Sequence, residues 1–176
     1  MNRPEEGCGR GNSQLEDTMS ALDEDFARMF GSPIFRHHDA TSEIASKIHR
    51  FRAVDEHNLL ALAKDIARLT ADRLDITAMY KAVGKPDRTL GSLKSLEWLL
   101  GHFVPGDQAR ALLTPLVGIY ELRLGDAHLP QSEIAQAFAL VGLDRTVGLI
   151  QQAKAMIDAA AAAFAAIRRT LRAARG

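Results

Sequence analysis

The feature that most constrains the fold is an apolar stripe in the C-terminal part of the chain, from Asp144 onward. Its members follow one another at intervals of three or four residues: Ile150, Ala153, Ile157, Ala160, Phe164, Ile167 and Leu171. That spacing places them on one face of an α-helix, for which Asp144 is a suitable N-cap. Because the spacing also fits a coiled coil, residues 144–174 either pack inside a helical bundle or bind a partner or a second copy.

Apolar residues at helical spacing recur through most of the remaining chain, and no segment shows sustained alternation with a period of two. Predicted helices cover residues 14–32, 41–69, 74–84, 89–103, 107–123 and 131–141. Predicted N-caps are Thr41 or Ser42, Thr89, Asp107 and Asp144; predicted stops are Gly31, Gly84 and Gly142. The second segment has a weak point around Asp55, and Pro115 either kinks its helix or restarts it. We therefore predict an all-α fold, an antiparallel helical bundle of five to seven helices with a long C-terminal helix.

Three regions follow from these patterns. Residues 1–13 contain three Gly and a Pro among charged residues and are predicted to form a disordered arm. Residues 14–32 form an acidic amphipathic helix, and residues 41–174 form the helical bundle. Residues 1–32 contain seven acids, whereas residues 145–176 contain five Arg and one Lys, so the acidic and basic ends either meet within the molecule or serve separate partners.

Composition limits the class of protein. Lys and Arg together number 22, equal to Asp and Glu, so the whole chain has no net field that favours nucleic acid or a membrane surface. The single cysteine, Cys8, excludes an intramolecular disulfide and favours a reducing cytoplasm. No apolar run approaches the roughly 18 residues of a membrane span, and no leader peptide is expected. We expect a cytoplasmic protein.

Signatures of metal and cofactor sites are missing from the sequence. It contains no H-E-x-x-H motif, and the segment GKPDRTLGSLKS lacks the glycine spacing of a phosphate-binding loop. The segment HHDA, residues 37–40, contains a His-Asp pair of the kind that metal phosphohydrolases use, but it lies in a predicted loop without further spaced ligands. We therefore expect neither a metal nor a cofactor.

The segment YELRLGDAHL brings an arginine and a histidine close together at the end of a predicted apolar helix. A pair such as Arg123 and His128 has the chemistry for cleaving RNA without a metal. A neutral imidazole takes the proton of the ribose 2′-hydroxyl, and a guanidinium stabilises the charge that develops on the phosphate. The planar fork of arginine matches two phosphate oxygens.

This segment resembles the R-x4–6-H signature of the HEPN family, compact helical bundles that include metal-independent ribonucleases of toxin–antitoxin and phage-defence systems. The resemblance implies that Arg123 binds the phosphate, that His128 transfers the proton, and that a homodimer forms a composite site. It also implies a supporting polar side chain, for which Glu97, Ser95 and Ser92 are candidates on a neighbouring helix. Asp126 either orients His128 or is a turn residue.

The spacing itself is not specific to this segment. Arg52 and His57, in RAVDEH, and Arg50 with His57 have comparable separations. The later pair is favoured because it follows an apolar helix. On a continuous helix, residues five apart point about 140° away from one another, at 3.6 residues per turn. The bend at Gly125 therefore determines whether Arg123 and His128 face one phosphate.

Two other features have alternative interpretations. Arg168, Arg169 and Arg172 are candidates for contact with RNA phosphates, or they complement the dipole at a helix C-terminus. Trp98 either packs in the core or anchors an interface.

Two non-catalytic functions compete with RNA cleavage. In one, the helix of residues 144–174 binds a partner or a second copy, and Arg123 pairs with a local acid. In the other, the protein is an antitoxin or regulator whose acidic helix stands free of the bundle and docks on a basic partner.

Overall fold

The computed structural model describes residues 9–50, 55–125 and 130–175, and these residues form eight α-helices and one short 3₁₀ turn, Ala71–Arg73. The helices are α1 (Gly9–Phe30), α2 (Thr41–His49), α3 (Glu56–Leu69), α4 (Ile76–Val83), α5 (Ser92–Leu100), α6 (Gly106–Leu122), α7 (Gln131–Val141) and α8 (Leu149–Ala173). Within these ranges no strand is present, and the one extended contact is an isolated bridge between Phe35 and Leu74. The all-α bundle with a long C-terminal helix is confirmed.

The helices outnumber the five to seven predicted, because the segment of residues 41–69 is divided. α2 ends at His49, and α3 begins at Glu56 with Asp55 as its N-cap. The Asp55 carboxylate accepts a hydrogen bond from the backbone N–H of Asn58, at 2.9 Å. The weak point in the apolar pattern is therefore the start of a new helix, since a capping carboxylate satisfies N–H groups that have no partner within the helix. The predicted arm also differs in part: residues 9–13 belong to α1, and residues 1–8 lie outside the described chain.

Helix ends were predicted more accurately than helix starts. Gly31, Gly84 and Gly142 have φ between 80° and 94° and directly follow α1, α4 and α7. This left-handed conformation costs glycine little and other residues much, which accounts for the three stops.

All four predicted N-caps are wrong. Asp107 is the second residue of α6, which Pro105 precedes. Thr41 lies within the first turn of α2, which Ala40 precedes. Gly91, rather than Thr89, precedes α5. Gly148, rather than Asp144, precedes α8, and the Asp144 carboxylate instead accepts bonds within its own turn. These positions are taken by residues whose side chains accept no capping hydrogen bond: Ala40, Gly91, Pro105 and Gly148.

The apolar stripe of α8 is covered within the chain. From Ala153 to Leu171 its members are buried, and they pack chiefly against α1, with further contacts to α6 and α3. Only Ile150, at the start of the stripe, is exposed. The face that a coiled-coil partner would use is therefore occupied by the bundle itself, and the stripe is that of a long core helix.

α1 belongs to the same hydrophobic core. Its stripe of Leu15, Met19, Leu22 and Phe26 is buried, so the acidic helix does not stand free of the bundle. Asp25 contacts Arg168 of α8, and Met29, one turn later on α1, contacts Arg175, two residues beyond the end of α8. The two helices thus run parallel, unlike the antiparallel neighbours that short connections predict.

α6 and α7 pack antiparallel and approach closely at Gly118. A Cβ at this position would lie 2.8 Å from the carbonyl oxygen of Ala137 and from the backbone nitrogen and a side-chain carbon of Val141. Only glycine permits this contact. α6 remains continuous through Pro115. The close contact at Gly118 holds the C-terminal end of α6 against α7. In the part of the chain that the structure describes, no helix is long and apolar enough to span a bilayer.

Candidate functional site

Arg123 stands at the C-terminal end of α6 and forms an ion pair with Asp72 of the 3₁₀ turn. Its Nη1 atom lies 2.6 Å from each of the two carboxylate oxygens. The guanidinium carbon also lies 4.8 Å from the centre of the Tyr120 ring, one turn earlier on α6. The Arg123 side chain is 27% exposed. A carboxylate and an aromatic face therefore fix the guanidinium while it remains accessible to solvent.

The ion pair uses one nitrogen of the guanidinium. Arginine carries five N–H donors, and the contacts with Asp72 occupy only those on Nη1. No described residue accepts a hydrogen bond from Nη2 or Nε of Arg123. Residues 126–129 follow directly in the chain and are not described. With respect to the described residues, Arg123 retains donors for a bound anion.

Two further arginines lie beside Asp72. Arg36 donates through Nη2 to the backbone carbonyl of Asp72 at 2.6 Å. Arg73 donates through Nε to the carbonyl of Arg36 at 3.1 Å, and its guanidinium lies 5.7 Å from the ring centre of Phe35. The bridge between Phe35 and Leu74 brings the loop after α1 against the 3₁₀ turn. The end of α6 thus lies beside basic side chains from two other segments, the loop after α1 and the 3₁₀ turn.

After α6 the chain forms a tight turn, in which Gly125 does not have a positive φ. The N–H groups of Leu124 and Gly125 donate to carbonyls three residues back. A Cβ on Gly125 would lie 3.2 Å from the Leu122 carbonyl oxygen and 3.4 Å from the side chains of Ile134 and Leu60. Gly125 therefore packs closely against α7 and α3 and does not adopt a positive φ. His128 and Asp126 lie outside the described residues, so the separation of Arg123 and His128 stays a prediction.

The proposed supporting residues on α5 lie among other partners. Ser95 is buried, with its hydroxyl 3.0 Å from the Tyr80 hydroxyl. Glu97 accepts hydrogen bonds from Lys94 at 2.6 Å and from Arg110 at 3.2 Å. Burial would raise the pKa of Glu97, but these two hydrogen bonds and the charges of Lys94 and Arg110 together hold the pKa below its ordinary value.

The polar side chain that reaches Arg123 from a neighbouring segment is Asp72, which the sequence analysis did not select. It lies 51 residues before Arg123. In the sequence, the one local signal for Asp72 was its position as an acidic residue in the short connection between two predicted helices.

The basic residues of α8 divide into two groups. Arg168 donates to Asp25 at 2.5 Å, and Asp25 is only 3% exposed. Arg28 also bonds to Asp25, and Arg172 lies 4.0 Å away. The hydrogen bond from Arg168 lowers the pKa of Asp25, and burial opposes this only in part. Arg168 therefore stabilises the bundle.

Arg169 is the free member of the basic group. It is exposed and has no ion-pair or hydrogen-bond partner in the described ranges. With Arg172 it lines a groove between α1 and α8, whose other side carries Asp17 and Thr18. The groove therefore has charges of both signs, so its attraction for RNA phosphates is weaker than the arginine count alone suggests.

The competing Arg–His pairs are only partly described. Arg52 lies outside the described residues, while Arg50 and His57 are exposed at the two sides of the interval between α2 and α3. Within the described ranges, no group of three or more His, Cys, Asp or Glu side chains has an arrangement that could hold a metal ion.

Comparison with known proteins found no match to this chain. No family model matches the chain, no curated protein matches it, and no solved structure matches it.

Proposed function

We propose that the chain is a metal-independent endoribonuclease in which Arg123 binds the scissile phosphate and His128 accepts the proton of the 2′-hydroxyl. The 2′-oxygen then forms a bond to phosphorus as the bond to the 5′-oxygen of the next nucleotide breaks. The leaving 5′-oxygen takes a proton from water, and the products carry a 2′,3′-cyclic phosphate and a 5′-hydroxyl. This is the reaction that resemblance to the HEPN family implies, in a toxin or defence setting.

The observation that supports the proposal is the way in which Arg123 is held. Asp72 binds Nη1, and Tyr120 lies against the guanidinium, while Nη2 and Nε have no described partner. A donor group fixed before the substrate binds stabilises developing charge without reorganising during the reaction. Asp72 is then a positioning residue, because it acts on the substrate through Arg123.

The pairing with Asp72 also bears on the non-catalytic alternative, in which Arg123 pairs with a local acid. Asp72 is 51 residues away in sequence and belongs to another segment. An ion pair that joins two segments and leaves donors unused suits a binding site better than a simple helix end does. The apolar stripe of α8 and the stripe of α1, on which the two interaction hypotheses depend, are both buried within the bundle.

The direct test is cleavage of mixed RNA by the purified full chain in EDTA. We expect wild-type protein to release fragments with cyclic phosphate ends. Arg123→Ala and His128→Ala should each lower the rate by about 10²-fold or more, which is typical when a general base or a charge-stabilising group is removed. His57→Ala is the matched control, since it removes the histidine of the competing pairs.

Three outcomes would refute the proposal: no cleavage by the wild-type protein, equal cleavage by all variants, or a loss with His57→Ala equal to that with His128→Ala. Asp72→Asn separates positioning from catalysis, because it removes the charge that holds Arg123 and leaves both reacting groups. We expect a smaller loss from it than from Arg123→Ala. Sedimentation velocity tests the homodimer that the resemblance implies.

A further inference from the structure

A second concave site lies at the opposite end of α6, between residues 88–90, α5 and the first turns of α6. The cleft has a volume of about 430 Å³, within the range of roughly 300–1,000 Å³ found for small-molecule sites. We call it the Trp98 cleft. The side chains that decide its chemistry are Arg88, Lys94, Glu97, Trp98, His102 and Arg110.

Trp98 is the only tryptophan of the chain and is 38% exposed. Its ring is nevertheless held in place. The indole N–H donates to the carbonyl oxygen of Gly84 at 3.0 Å, and the His102 ring lies edge-on with its centre 5.0 Å away. Nδ1 of His102 in turn lies 2.9 Å from the Trp98 carbonyl oxygen. An aromatic surface that is fixed and partly exposed is a ready platform for stacking, because little freedom is lost when a ligand binds.

The cleft carries an excess of positive charge. Three cations, Arg88, Lys94 and Arg110, face one carboxylate, Glu97, which leaves a formal charge of +2 (three minus one). Glu97 bonds to Lys94 and Arg110, whereas Arg88 has no hydrogen-bond or ion-pair partner among the residues that are described. The exposed acids nearest in sequence, Asp87 and Asp107, do not line the cleft.

The N-terminus of α6 borders the cleft. Gly106, which lines it, is the first residue of α6, and the preceding Pro105 provides no side-chain cap. The first N–H groups of a helix have no partner within the helix, and the helix dipole favours an anion there. These groups therefore reinforce the charge of the three basic side chains.

We propose that the Trp98 cleft binds a nucleoside phosphate, with the base stacked on Trp98 and the phosphate bound by Arg88, Lys94 and Arg110. Neither feature alone identifies such a ligand: cations alone bind any anion, and an aromatic ring alone binds any flat apolar group. An aromatic platform beside cations is the combination that recognises nucleotides, free or at the end of an RNA strand. The site is independent of the proposed nuclease site, since the 17 residues of α6 separate the two by about 25 Å at about 1.5 Å per residue.

Because Trp98 is the sole tryptophan, its fluorescence reports binding directly. Adenosine monophosphate, adenosine and inorganic phosphate are titrated separately into the full-length protein. We expect saturable quenching by the monophosphate, with binding at least about tenfold tighter than that of adenosine or phosphate, since each of these lacks one of the two contacts. Higher salt should weaken the binding.

Variants connect the signal to the cleft. Arg88→Ala should weaken binding of the monophosphate about fivefold or more, and it removes no intramolecular bond that would disturb folding. Arg169→Ala, an exposed arginine on α8, is the matched control and should leave binding unchanged. For Trp98→Phe, calorimetry replaces fluorescence, and weaker binding is expected because the stacking surface is smaller.

The proposal is overturned if the monophosphate gives no saturable signal, if phosphate or adenosine alone binds as tightly, or if Arg88→Ala and Arg169→Ala behave alike. A 5′-phosphorylated trinucleotide, compared with the monophosphate, separates the two sources of the ligand. Tighter binding of the trinucleotide assigns the cleft to the end of an RNA strand, and tighter binding of the monophosphate assigns it to free nucleotides.

Discussion

Replacing Arg168 with Met removes the hydrogen bond that the buried Asp25 carboxylate receives from α8, and retains most of the apolar stem of the side chain. Asp25 is 3% exposed, so it has almost no access to water once this partner is lost. Breaking a buried ion pair by removing one member costs about 3–5 kcal/mol. Arg28 still bonds to Asp25 in the variant, so we expect the free energy of unfolding to fall by the smaller amount of about 2–3 kcal/mol. For a chain of this size that corresponds to a decrease in Tm of roughly 4–12 °C.

Urea denaturation at pH 7, followed by circular dichroism, measures this loss. The matched control is Arg169→Met, which changes the next residue on the same helix. Arg169 is exposed and has no described partner, so the control should alter the free energy of unfolding by about 0.5 kcal/mol or less. The slope with urea should stay the same for all three proteins, because the surface exposed on unfolding does not change.

The pH dependence gives a second, independent test of the same ion pair. The pKa of Asp25 is lowered in the folded protein, chiefly by the hydrogen bond from Arg168. A carboxylate with a lowered pKa contributes stability above its unfolded pKa of about 3.9, and this contribution is lost as the pH falls towards the folded value. The difference between wild type and Arg168→Met should therefore shrink between pH 6 and pH 3. Equal losses in Arg168→Met and Arg169→Met, or a difference that stays constant with pH, would show that the reasoning is wrong.

Two further substitutions test the packing and the capping of the bundle. Gly118→Ala should lower the free energy of unfolding by about 1–3 kcal/mol, because the new methyl group overlaps the backbone at Val141. Gly106→Ala is the control and should not lower the free energy of unfolding, because its methyl group meets no atom within 4 Å. Equal effects of the two substitutions would contradict the close approach of α6 and α7. Asp75→Ala should cost about 1 kcal/mol in urea denaturation, since this carboxylate accepts two N–H bonds at the start of α4. Asp87→Ala, at an exposed acid between helices, is its control, and a similar loss there would refute the capping role.

The elements that could be predicted from the sequence are those whose signals are local. The stripe of α8 and the stops at Gly84 and Gly142 depend on neighbouring residues only, and the structure confirms them. Helix starts were less predictable. Thr89 and Asp144 are good caps by type, but the helices begin at Ser92 and Leu149, so the residue type of a cap does not by itself fix where a helix begins.

The candidate sites depend on contacts between distant parts of the chain, which periodicity does not reveal. The ion pair between Asp72 and Arg123 forms only when the 3₁₀ turn lies against the end of α6. The Trp98 cleft likewise joins Arg88, in a connection, to Arg110 on α6. Trp98 and Glu97 can each be singled out in the sequence, but no local pattern predicts the cavity that they line.

The parallel packing of α1 on α8 has a consequence for synthesis of the protein. Asp25 and Arg168 are 143 residues apart, and a ribosome adds about 5–20 residues per second. Residue 168 of α8 is therefore synthesised roughly 7–29 s after residue 25 of α1. During that interval the apolar face of α1 has no α8 to cover it. The acids on the opposite face, such as Asp17 and Glu24, give the nascent helix like charges that repel other copies and oppose aggregation. We therefore expect the acidic character of α1 to limit self-association of the nascent chain until α8 has been made.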